Sequence, residues 1–188
     1  MSLDENTSNP ESKIRLMRSY LMKAAIIFVC LYTAFNLSFA NYPAVWHTLI
    51  EKATQLASTT FNMLFNDQTI IAPFGNGLLA EIQTNDASYI RVVIETLGIP
   101  IILAVLAAIV AWPASKRLKL TAICGFLAVA CLMVILQICT LLLVDIYWVR
   151  QMDLAADWLV PLGVILVYLI CFLVFVKASN RHPADTHS

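Results

Sequence analysis

Four stretches of the chain lose almost all polar character, at 21–40, 97–114, 120–144 and 158–176. Between 97 and 114, and again between 120 and 144, there is no Asp, Glu, Lys or Arg. A helix that crosses a bilayer needs about 20 mostly apolar residues, and an open strand edge in lipid would leave its peptide groups unpaired. Each stretch is therefore predicted to be a membrane-crossing helix. The third, 25 residues long, is expected to tilt.

The segment between the first two spans has a different pattern. Over 43–65, Val45, Leu49, Ala53, Leu56, Thr60 and Met63 recur at steps of three and four, widened by Trp46, Ile50, Phe61 and Phe65. Glu51, Lys52, Gln55 and Thr59 fall more to the other side. That spacing predicts an amphipathic helix lying at the membrane surface. His47, alone on a water-facing helix, reads as a surface residue. Beyond it, Asn66-Asp67 and Gly75-Asn76-Gly77 are turn signals. The runs 78–84 and 89–95, rich in β-branched residues and separated by Asn85-Asp86-Ala87-Ser88, predict a β-hairpin. Such a hairpin is barely stable alone and should lean on a helix.

Composition agrees with a membrane protein. Hydrophobic residues make up 60% and charged residues 13%, against roughly 45–50% and about 25% in soluble domains. The placement of the charges adds an orientation. Nine of the twelve cations (Lys13, Arg15, Arg18, Lys23, Lys116, Arg117, Lys119, Lys177 and Arg181) fall on one side of the four-span arrangement, and Lys52, Arg91 and Arg150 on the other. Basic residues are retained on the cytoplasmic side. The expected organisation is a cytoplasmic tail over 1–20, a first span over 21–40, an outward helix and hairpin over 41–96, a three-helix bundle over 97–176 and a cytoplasmic tail over 177–188. The fold class is thus mainly α and polytopic, with four transmembrane helices. Ser38-Phe39-Ala40 before Asn41 also resembles a leader-cleavage site. The length of the apolar stretch and of its charged flank favours an uncleaved anchor.

The five cysteines, Cys30, Cys124, Cys131, Cys139 and Cys171, all fall within spans and read as packing residues, with no disulfide framework or metal spacing. Cys139, near the outer end of its helix, is the one expected to be reachable from outside. Ala104, Ala107, Ala108 and Ala111 in the second span, and Thr121 and Gly125 in the third, are spaced for close helix packing. Gln137 is an amide within lipid depth and needs partners, structural or functional. Asp145, Asp153 and Asp157, with Arg150 among them, bracket the outer loop. No glycine-rich phosphate loop, metal cluster or nucleic-acid-binding face is present, and no cofactor is expected.

The order of parts then becomes specific. An outward amphipathic segment, a hairpin ending in YIRVVIE, Thr96-Leu97-Gly98 at the head of a span, and the WPASKRLKL turn into two more spans resembles the C-terminal half of the exosortase/archaeosortase family. The similarity covers roughly residues 61–177. It implies a multi-span cysteine transpeptidase of the bacterial inner membrane, which recognises a C-terminal sorting tail on secreted proteins and cleaves it at the outer face. The family's cysteine, arginine and histidine positions fall on Thr96, Gln137 and Asp157. All three groups are substituted here. A threonine hydroxyl needs an adjacent base to attack a carbonyl, and Gln137 can donate to an oxyanion only without the arginine's charge. The resemblance therefore implies an exosortase-like protein degenerate in cysteine chemistry, with a noncatalytic structural or assembly subunit as the alternative. Its partners would be the bilayer and a sorting tail, and no nucleic acid.

Overall fold

A computed structural model describes residues 10–65, 70–73, 80–83, 89–92 and 97–181. Its order is α1 (Pro10–Asn41), α2 (Pro43–Phe65), β1 (Ile70–Pro73), β2 (Ala80–Gln83), β3 (Tyr89–Val92), α3 (Ile99–Ala111), α4 (Lys116–Tyr147), a single turn α5 (Met152–Leu154) and α6 (Val160–Arg181). Three helical stretches among these are long and apolar enough to cross a membrane: Ile14–Asn41, Lys116–Tyr147 and Val149–Arg181.

Two boundaries differ from the sequence expectation. The tail expected over 1–20 is already helical from Pro10, because proline suits the first turn of a helix, where its missing N–H has no partner to lose. The stretch expected as a second span over 97–114 forms only the 13-residue α3. At 1.5 Å per residue that is about 20 Å, short of a hydrocarbon core of about 30 Å. The cause is local. Pro113 bars its predecessor from helical geometry, and Trp112 is extended at φ −63°, ψ 138°. At the other end Gly98 takes φ +63°, the left-handed region that glycine reaches without penalty, and Pro100 follows in the first turn. Ser115 then caps α4 by accepting from the Leu118 N–H at 3.4 Å.

Helix α1 lies at the side of the bundle with most of its apolar surface open, and its main partner is α3. Tyr20 donates to the Ala108 carbonyl at 3.4 Å and sets its ring edge-on to Trp112 at 5.1 Å. Trp112 in turn meets Phe172 of α6 at 5.9 Å. The start of α1, the end of α3, the start of α4 and the end of α6 therefore share one end of the molecule. That end carries the nine cations grouped by the sequence. At the other end of α1 the chain reverses, as the Trp46 indole donates to Ser38 Oγ at 3.2 Å and packs on Phe35.

The expected apolar stripe of α2 is displaced by one residue. The buried face is Ile50, Thr54, Ala57, Ser58 and Phe61, whereas Val45, Leu49, Leu56 and Met63 are exposed. Small side chains decide this. Ala57, Ser58 and Thr54 let α2 approach α4 closely, and the Thr54 hydroxyl is satisfied by the Ile50 carbonyl at 2.7 Å. Helix α2 thus packs along the C-terminal half of α4. The Thr121–Gly125 pair, expected to make a close helix contact, is exposed, with nothing near Gly125.

Three strands form an antiparallel sheet in the order β1-β2-β3. Ile82 stands opposite Ile90 and Ala80 opposite Val92, which puts Ile82, Ile90 and Val92 on one face. The first strand, paired with β2, was not expected from sequence. The segments 66–69, 74–79, 84–88 and 93–96 lie outside the described residues, and with them the predicted turns. Two apolar clusters hold the molecule. One joins Ile50, Ala57 and Phe61 of α2, the sheet face, Leu97, the Ile138–Leu142 region of α4 and Val160. The other joins Ile109, Phe126, Ala130, Val164, Tyr168 and Phe175 toward the basic end.

Candidate functional site

The candidate site is built where α3 begins, α4 passes and α6 begins. Gln137 is half-buried on α4. Successive turns of the same helix face carry the buried Phe126, Ala130 and Leu141. The amide therefore sits at the seam between the two clusters, on the interior stripe.

Asp157 lies in a π-helical turn, Ala155–Leu159, and is exposed. Pro161 explains the turn. It has no N–H to offer the Asp157 carbonyl, and its ring crowds that carbonyl. The chain relieves the conflict by widening one turn. Turns of this kind occur often at functional sites, and Pro161 was the sequence signal for it. The outer loop expected over 145–157 is accordingly a run of short helical turns after Trp148.

Thr96 lies outside the described residues. Its neighbour Leu97 is buried in the same cluster as Ile138 and Val160, and Ala156 packs against that cluster. Residues adjacent in sequence to Thr96, Gln137 and Asp157 are in this way gathered into one core. The side chains of Gln137 and Asp157 are not joined: neither makes a hydrogen bond among the described residues.

Three features were missed in sequence. An apolar groove of about 840 Å³ opens beside Leu97, between Val45, Leu49 and Leu56 of α2, Ile99 of α3 and Leu127 and Val134 of α4. The exposed stripe of α2 is its wall. Asp145 has one carboxylate oxygen buried with no hydrogen-bond partner among the described residues. Glu81 is 5% exposed on β2, with Arg91 opposite it in register. Neither carboxylate carries a pattern that alternation or helical spacing would single out.

The cysteine expected to be reachable is the one fully covered. Cys139 is buried and its thiol donates to the Ala57 carbonyl at 3.5 Å, while Cys30, Cys124 and Cys131 are exposed. Helix α2 is what covers it. Among the described residues no group of three or more His, Cys, Asp or Glu is arranged to hold a metal.

No family model, no curated protein and no solved structure matches the chain. The functional reading rests on the residues themselves.

Proposed function

We propose that the chain is an exosortase-like protein of the bacterial inner membrane that binds C-terminal tails of secreted proteins during their sorting, with the family's cysteine chemistry lost. In this reading the polypeptide crosses the bilayer four times, α3 together with its flanking turns making the second crossing. Both termini and the 112–115 turn face the cytoplasm, and α2 and the hairpin lie outside. The nine-to-three cation split supports that orientation.

One observation carries the proposal: Leu97 and Ile138 share a buried cluster against which Ala156 packs, and so the neighbours of the three family-equivalent positions come together. The apolar groove beside Leu97 offers an apolar tail a place to lie. The replacement of the family's cysteine, arginine and histidine by Thr96, Gln137 and Asp157 supports binding over cleavage. The same observation also favours the second reading, a noncatalytic subunit of a membrane complex.

Cells with and without the chain separate these readings when the C-termini and membrane retention of secreted proteins are compared by mass spectrometry. Loss of the chain is expected to alter retention of proteins ending in an apolar span and a basic tail, without changing their C-termini. Thr96→Ala is expected to behave as wild type. New uncleaved C-termini in Thr96→Ala would instead establish an active enzyme. Unchanged secretion, with the chain held in a stable complex, would establish the structural subunit.

A further inference from the structure

The basic end holds a charge arrangement that orientation alone does not require. After Glu11 in the first turn of α1, no Asp or Glu occurs until Glu51, and none occurs in 96–144 or 158–184. Two lysines of the basic end, on α1 and α4, flank the end of α3. Lys23 lies one turn beyond Tyr20 on α1, and Lys119 of α4 donates to the Val110 carbonyl at 2.7 Å. Tyr20 meets the Ala108 carbonyl, two residues before Val110, so α1 near Lys23 and the Lys119 ammonium both flank this last stretch of α3. Lys23 makes no hydrogen bond or ion pair among the described residues.

Beside them stand Tyr20 and Trp112, the amphipathic aromatics that settle at headgroup depth. One turn and two turns further along α1, Ile26 and Val29 are each 60% exposed, an open apolar track leading away from Lys23. Two cations that form no ion pair among the described residues, next to an interfacial aromatic pair and an apolar track, match one ligand in each of its parts. We propose that this end binds an anionic phospholipid, its phosphate between Lys23 and Lys119 and an acyl chain along α1. A soluble phosphate would use the lysines but leave the track without a role. This inference does not depend on the function proposed above.

The full chain, in nanodiscs of phosphatidylcholine with rising fractions of phosphatidylglycerol, tests it by native mass spectrometry of retained lipid. Phosphatidylglycerol is expected to be retained over phosphatidylcholine. Lys23→Gln is expected to weaken that retention about fivefold, the effect of one cation near a lipid surface. Because Lys23 supports no other group, this variant keeps its fold. Lys119→Gln should act in the same direction, and Lys52→Gln at the opposite end should change nothing. Equal retention of the two lipids, or undiminished retention in Lys23→Gln, would overturn the proposal. Displacement of the bound lipid by inorganic phosphate would also overturn it, in favour of a soluble-anion site.

Discussion

Phe61→Ala is expected to cost about 3–5 kcal/mol and to release α2 and the sheet from α4. The ring is fully buried between α2, the sheet and α4, in the cluster that also holds Ile138 and Leu142. Deleting an aromatic side chain from such a position removes its transfer energy and leaves a cavity, and costs in this range are usual. The readout is built into the protein. The Cys139 thiol lies beneath α2, 3.5 Å from the Ala57 carbonyl. In a background with the other four cysteines replaced by serine, its modification by a maleimide must await opening of α2. A loss of 3 kcal/mol in that opening speeds labelling about 100-fold. Phe65→Ala is the control, since Phe65 is 39% exposed at the end of the same helix. Equal labelling rates for the two variants would mean that the cluster around Phe61 does not hold α2.

Tyr168→Ala is expected to loosen the other half of the molecule and leave Cys139 protected. Tyr168 is 1% exposed and sets its ring edge-on to Phe126 of α4 at 5.1 Å. Within a bilayer, lipid tails are as apolar as the core, so the transfer energy largely cancels and the lost packing remains. A cavity of about 100 Å³ at about 24 cal/mol per Å³ gives about 2–3 kcal/mol. Tyr168→Phe keeps the ring contact and is expected to stay near wild type. Thermal unfolding in detergent reads the stability, and Cys139 labelling reads the location. Fast Cys139 labelling in Tyr168→Ala would show that the two clusters open as one unit.

The contrast between these residues says how far the sequence could be read. Long charge-free runs identify helices directly, since lipid leaves the backbone no other satisfied state, and α4 and α6 follow from them. Local chemistry was present but passed over: the stretch expected as a span to 114 stops where Pro113 ends α3, Gly98 and Pro100 begin it, and Pro161 marks the widened turn at Asp157. Helix α2 shows the limit. Its most regular apolar stripe, Val45, Leu49, Ala53 and Leu56, was the natural candidate for the buried face. Periodicity counts apolar residues, but helix approach depends on small ones, and Ala57, Ser58 and Thr54 lie one position over. The stripe was left to line a groove.

The candidate site divides in the same way. Gln137 stands out in sequence because an amide in an apolar run is costly unless it finds a partner. Its place on the seam between two clusters, and the covering of Cys139, depend on which helices pack together, and no single helix encodes that. The sequence by itself determined the apolar helices, the caps and breaks that bound them, and the gathering of cations into a few segments, because each follows from local solvation and backbone geometry. Only the tertiary structure decided that α3 pairs chiefly with α1, that α2 closes over α4, and that Lys119 reaches back to the Val110 carbonyl. Those contacts join different helices, and they are selected by mutual shape and charge, on which local pattern is silent.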